Sequence, residues 1–236
     1  AILVTFRIDE GQETRIREIL ISGNASIATS ALKGEMKTKE QGLFASGAFR
    51  ENQIQEDIRA IEAYYQNRGY VDAKVVKVDR QADLDEDQQR VHLVITLFVE
   101  EGQQWLYGGM TYEGNRIFTN EQIDDLLTLK PGSVFNRQRV EAQYQKLVSL
   151  YTDSGYIFNV IRRQEARDEA ARTISYRVTI QEADKAHIEN IVLQGNEKTR
   201  DYVILRELPF EEGDIFSVEK IRQGYLNLSN LQYFSS

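Results

Sequence analysis

A short apolar stretch ending in Gly-Asn is written three times in this chain, as Ile19-Leu20-Ile21-Ser22-Gly23-Asn24, Met110-Thr111-Tyr112-Glu113-Gly114-Asn115 and Ile191-Val192-Leu193-Gln194-Gly195-Asn196. The three glycines lie 91 and then 81 residues apart. Two and four positions before each glycine stand apolar residues (Ile21 and Ile19, Tyr112 and Met110, Leu193 and Ile191), which is the period of a half-buried strand. Gly-Asn then ends it, since both residues tolerate the left-handed backbone that a sharp turn needs. Self-similarity at this spacing points to tandem units of about 80 to 90 residues instead of one large core.

The rest of each unit repeats as well. Leu32 and Met36, Ile123 and Leu127, and Ile204 and Leu208 stand at equal distances after the glycines, four apart, as on one face of a short helix. Thr119 followed by Gln122 reads as a capping box, and Pro131-Gly132 and Glu212-Gly213 break the chain after the helix. A second, longer helix follows, with Ile54, Ile58, Ile61 and Tyr65 matched by Val140, Tyr144, Leu147 and Tyr151, and continued by Ile221, Tyr225 and Leu228. Gly69-Tyr70 and Gly155-Tyr156 place glycine where a left-handed helix cap is expected. Burying the tyrosine that follows contributes roughly 1.5 to 3 kcal/mol, so these pairs read as structural.

Two strands close each unit, predicted over Val71 to Val78 with Val91 to Val99 and over Ile157 to Arg162 with Ile174 to Ile180. Their connectors, Asp79 to Arg90 and Gln164 to Arg172, read as long charged loops. Val4, Phe6 and Ile8 followed by Asp9-Glu10-Gly11 match Ile95, Leu97 and Val99 followed by Glu100-Glu101-Gly102, so the opening strand reads as the end of a preceding unit. The expected division is therefore 1–10 for that closing strand, 11–101 and 102–182 for two units, and 183–236 for the start of a third. The chain is expected to be an excerpt of a longer protein, with any targeting or anchoring segment outside it.

Composition excludes several functions. The 236 residues are 41% apolar and 28% charged, and a net charge of −8 argues against a general nucleic-acid surface. With no cysteine and only His92 and His187, neither a thiolate nor a histidine-rich metal site can be built. Asp83, Asp85, Glu86 and Asp87 lack the glycine and terminal glutamate of a calcium loop and read as a solvated hairpin tip. No nucleophile–base pair or phosphate loop stands out, so neither catalysis nor a cofactor is expected.

This order of strand, Gly-Asn, short helix, long helix ending in Gly-Tyr, and hairpin resembles the POTRA domain of outer-membrane β-barrel assembly proteins. The residues that carry the likeness are Ile19 to Asn24 with Ala63 to Tyr70, Thr111 to Arg116 with Leu129 to Gly132 and Ser154 to Tyr156, and Ile191 to Asn196 with Val203 to Glu207. The resemblance implies an α+β array, each repeat β-α-α-β-β with a three-stranded mixed sheet covered on one face by two helices. It further implies a place on the periplasmic side of the bacterial outer membrane, before a membrane barrel outside this chain. The implied partners are unfolded outer-membrane β-barrel proteins, periplasmic chaperones and accessory outer-membrane lipoproteins. Two other readings are the same region of a translocation or secretion pore and a non-catalytic regulatory module of a larger enzyme.

In the family's sheet the strand after the second helix lies at the edge, which makes Val71, Ala73, Val75, Val76 and Val78, and Ile157, Asn159 and Ile161, the expected client-binding residues. An edge has unpaired N–H and C=O groups that an extended client completes. Lys74 and Lys77 favour the competing reading, a protected edge. Glu211, Glu212 and Gly213 are the expected docking loop for an accessory lipoprotein.

Overall fold

The computed structural model describes residue 4 and residues 13–42, 45–85 and 90–231. Apart from Val4, the opening strand expected over Ile2 to Ile8 lies outside the described residues, as do Glu86, Asp87 and Gln232 to Phe234. The chain divides into two compact units: residues up to Trp105 with Val134–Arg137, and Leu106–Ser133 with the chain from Gln138 onward.

In the first unit β1 (Glu13–Ser22) leads to α1 (Thr29–Glu35), α2 (Glu51–Gln66), β2 (Lys74–Asp85) and β3 (Arg90–Glu100). The sheet order is β1-β3-β2, with β1 parallel and β2 antiparallel to β3. Its apolar row of Leu93, Ile95, Leu97 and Val99 alternates along β3 and meets Ile54, Ile61 and Tyr65 of α2 and Leu32 of α1 in one core. The second unit repeats this with β4 (Leu106–Glu113), α3 (Asn120–Asp125), α4 (Arg137–Asp153), β5 (Val160–Asp168) and β6 (Thr173–Gln181), in sheet order β4-β6-β5. Ile123, Leu147, Tyr151, Val178 and Ile180 form its core. The capping box of Thr119 and Gln122 starts α3, and Gly69 and Gly155 take φ of +91° and +92° at the ends of α2 and α4.

Three expectations are corrected. The strands of each hairpin run further than their composition indicates, β2 to Asp85 and β5 to Asp168, so the connectors are short. Ladder bonds to β3 and β6 hold these charged segments extended whatever their polarity. Asp83 accordingly stands on a strand, 3.3 Å from Arg17, and not at a hairpin tip. Each first strand also carries an unforeseen bulge, at Arg17 in β1 and at Gly108 in β4. Gly108-Gly109 inside a strand pattern was the available signal for the second.

The third copy departs most. α5 (Asp201–Leu205) and α6 (Val218–Asn230) form, but Ile191 to Gln194 is not a strand. In the first two copies this segment is held by parallel pairing with the closing strand of its own unit. Among the described residues none pairs with it here. The apolar stripe of α6 is correspondingly open, with Tyr225 67% exposed.

At Gly114, φ is +88° and an added Cβ would stand 2.2 Å from the Ile180 carbonyl oxygen, because the turn crosses flat over the end of β6. Gly195 has a similar φ of +81° with nothing within 4 Å. Gly114→Ala is therefore expected to destabilise the second unit by about 2 kcal/mol or more, and Gly195→Ala by less, as read by urea denaturation. Equal losses would contradict the close approach.

Candidate functional site

A carboxylate just past each closing strand fastens the Gly-Asn turn to the long helix. Glu101 accepts the Ser26 N–H at 2.9 and 3.0 Å and the Tyr65 hydroxyl at 2.8 Å. Glu182 accepts the N–H groups of Arg116 and Ile117 at 2.8 and 2.9 Å and the Tyr151 hydroxyl at 3.1 Å. Burial by itself would push the Glu101 carboxyl up, but bonds from Ser26, Tyr65 and Ile27 hold it below the usual carboxylate range. Burial, then the bond to Glu101, pushes the Tyr65 phenol up. These groups are locked into structure and are not poised for proton transfer.

A second recurring device joins the end of each long helix to the chain that follows. Within the first unit the Trp105 N–H donates to Gly69 O at 2.9 Å, its indole to Asp72 at 3.1 Å, and its carbonyl accepts the Phe135 N–H at 2.9 Å. Within the second, Ala186 N–H donates to Gly155 O at 2.8 Å and its carbonyl accepts the Phe216 N–H at 3.0 Å. The expected docking loop belongs to this device. The Gly213 N–H donates to Ile188 O at 2.7 Å and Glu212 accepts the Ile191 N–H at 3.0 Å, while the Glu211 N–H donates to Asp214 at 3.2 Å. His187, expected within a strand, makes only an isolated bridge to Ile215, with Nδ1 3.1 Å from Gly213 O.

The sheet orders leave β2 and β5 with one unpaired side each. Not all the residues expected there belong to them. Val71 and Ala73 lie in the turn before β2 and are buried, and Ile157 and Asn159 precede β5. The glycine-capped helix ends need two or three residues to reverse the chain before pairing begins, and that turn was read as strand. Val75 opens the pairing with Val99, and its N–H donates to Glu62 at 3.0 Å. Val76 is the extra residue of a bulge. From Lys77 to Asp85 the register with β3 is then unbroken. Val78 and Ile161 are strand residues, half-buried, each paired with a core residue of the neighbouring strand, Leu97 and Ile180.

The two edges differ in the row they turn toward the helices, because paired residues share a face. On β2 that row continues with Arg80, Ala82 and Leu84, opposite Ile95, Leu93 and Val91. On β5 it is Arg163, Glu165 and Arg167, opposite Val178, Tyr176 and Ile174. Arg163 sits 4.5 Å from the centre of the Tyr144 ring and 2.9 Å from Glu141, and Glu165 accepts the Tyr176 hydroxyl at 3.0 Å. Inward-pointing charge is a protection of edge strands, so β5 is guarded along its length. β2 is guarded by its bulge and by Lys74 and Lys77, and beyond them its row is largely apolar. Ala82 and Leu84 escaped the sequence reading because the charges around them indicated a loop.

Among the described residues no group of three or more His, Asp or Glu is placed to hold a metal ion, and no helix is long and apolar enough to cross a membrane.

Tandem β-α-α-β-β repeats with mixed three-stranded sheets and one free edge apiece define a class of non-local α+β repeat proteins. A profile of the POTRA family, described as surface antigen variable number repeat, matches residues 14–102, 106–183 and 186–236, and the chain belongs to that family. A protein of Treponema pallidum (strain Nichols) is 38% identical over 235 residues, which is 100% of this chain and 28% of that protein. The outer membrane protein assembly factor BamA of Nitratidesulfovibrio vulgaris is 28% identical over 242 residues, 98% of this chain and 30% of its own length. The chain thus spans under a third of the curated relatives it matches. Among solved structures, POTRA domains 3–5 of Haemophilus influenzae BamA share the fold with a TM-score of 0.69 at 21% identity, over 97% of this chain and 90% of that one.

The Glu101 lock has a pH signature. Its folded-state pKa lies below the unfolded value of about 4.3, so its contribution is present above that value and is lost as pH falls through the folded one. Glu101→Gln is expected to lower stability at neutral pH and to flatten the loss of stability below about pH 5, measured by urea denaturation across pH. An unchanged acid slope in the variant would show that other carboxylates carry it.

Proposed function

We propose that the chain is part of the periplasmic arm of an outer-membrane β-barrel assembly factor, a non-catalytic scaffold that accepts an extended strand of an unfolded barrel protein beside β2. Its repeats are taken as 11–101, 102–182 and a third from 183. Family membership and the likeness to BamA proteins support the assembly role. The observation that carries the strand-addition reading is the contrast between edges: unbroken register from Lys77 to Asp85 with Val78, Ala82 and Leu84 on the inward row, against Arg163, Glu165 and Arg167 on β5.

A client strand laid along β2 would complete the outward N–H and C=O groups of alternate residues. Its own apolar row would lie over Ala82 and Leu84, of which Leu84 is 49% exposed. A membrane-spanning β-strand has this alternation, apolar on one face only. Such binding is read by the backbone and one row of side chains, so it tolerates many sequences. Within this reading the useful edge is Val78 to Leu84, with Val71 and Ala73 as supports beneath it. Periplasmic chaperones and accessory lipoproteins remain proposed partners, and at the Glu211–Gly213 loop the exposed Glu211 is the residue left to meet one.

Photo-crosslinking in cells with the full-length protein tests this. Probes at Ala82 and Leu84 are expected to give adducts with barrel proteins during assembly, and a probe at Gln164 on β5 few. Replacing Ala82 by Lys puts on β2 the inward charge that β5 carries, and is expected to lower adduct yield at Leu84 roughly tenfold, equivalent to about 1.4 kcal/mol. Equal yields from the two edges, or yields indifferent to Ala82→Lys, would overturn the proposal.

A further inference from the structure

The loop joining α1 to α2 surrounds a cavity of about 290 Å³ lined by Lys37, Thr38, Lys39, Ser46, Gly47 and Arg50. In a chain of net charge −8, three cations at one cavity are unexpected. Lys37 pairs with Glu56 at 3.1 Å, whereas the Lys39 ammonium is held by the carbonyls of Met36 and Lys33 at 2.7 and 3.3 Å, and Arg50 forms no ion pair among the described residues. Glu56 is shared with Gln53, and the buried Asp57 engages its two oxygens with the N–H groups of Lys37 and Thr38 at 2.6 and 3.1 Å. The carboxylates nearby are thus occupied.

Two independent features mark the cavity as a place for an anion. First, it lies at the N-terminus of α2, a helix of 16 residues whose N-cap Arg50 gives no side-chain cap, whereas Thr119 and Ser217 cap α3 and α6. The positive end of the helix therefore faces it uncapped. Second, Thr38 is only 6% exposed, and its Oγ1 is buried with no hydrogen-bond partner among the described residues. The corresponding positions in the other copies hold Leu129 and Phe210, and those of Arg50 hold Asn136 and Ser217. The repeat folds with apolar residues where Thr38 stands, so the fold itself does not require the hydroxyl or the cations.

We propose that this cavity binds a phosphate-bearing anion, supplied either as free phosphate or as the phosphate of a lipid headgroup. Arg50 offers a planar fork for two phosphate oxygens, Lys39 a point charge, and Thr38 and Ser46 their hydroxyls. Gly47, at φ +63°, turns the neighbouring backbone in the left-handed manner of anion-holding loops. This site is separate from the β2 edge, so its failure leaves the strand-addition reading untouched.

The test is equilibrium dialysis of the full-length protein against radiolabelled orthophosphate at fixed ionic strength, beside co-sedimentation with phosphatidylglycerol vesicles. Saturable binding is expected in at least one arm, weakened roughly tenfold by Arg50→Gln and by Thr38→Val, with the melting temperature of each variant close to that of the parent. Binding in the dialysis arm alone identifies free phosphate, and sedimentation that Arg50→Gln removes identifies a lipid headgroup. No saturable binding in either arm, or binding that both variants retain in full, overturns the proposal.

Discussion

Everything in each repeat depends on the parallel pairing of its first strand with its last. That ladder links Glu13–Ser22 to Arg90–Glu100 in one unit and Leu106–Glu113 to Thr173–Gln181 in the other, across more than a helix pair of intervening chain. Once it forms, the Gly-Asn turn is carried over the end of the closing strand, the carboxylate beyond that strand reaches the turn, and the tyrosine of the long helix closes the triangle. The third copy supplies the contrast. It has the same residues in Ile191 to Asn196 and the same helix pattern, yet without a paired closing strand among the described residues the segment is not a strand and the helix stripe stays open. Local propensity is present in all three copies, and only the non-local ladder turns it into a core.

Equivalent positions solve one problem with different chemistry. The chain leaving the short helix must be fastened to the long one, and the buried residue that does so is Asp57 in the first copy and Gln143 in the second, each accepting backbone N–H groups. In the third copy that position is Gly224, and Leu208, Pro209 and Phe210 close directly onto its backbone. A buried acceptor and a missing side chain are alternative ways to leave no backbone donor unsatisfied beneath a loop. Such exchanges explain how repeats of one fold can differ in sequence at their best-buried polar position.

The edges obey a similar economy. A sheet of three strands always has a free side, and each unit guards it differently: a bulge and two lysines at the start of β2, a row of inward charges along β5. Protection of β2 stops where the register becomes regular, and that stretch is the candidate site. The reading of Val75, Val76 and Val78 as strand residues came from their β-branched run. The placement of Val71 and Ala73 failed because burial in a turn and burial in a strand look alike in an apolar sequence. Ala82 and Leu84 were hidden by the acids and arginine around them, since an exposed strand paired on one side needs no apolar alternation.

The sequence by itself determined the repeat, the order of elements, the helix faces, the capping box and the glycine caps, because each is set by interactions among residues within a few positions of one another. Tertiary structure alone decided where β2 and β5 begin and end, the bulges, the role of Glu101 and Glu182 as locks, the difference between the two edges and the cation-lined cavity. These depend on which strands meet and in what register, and on side chains brought together from tens of residues apart. Periodicity within a window carries no record of them.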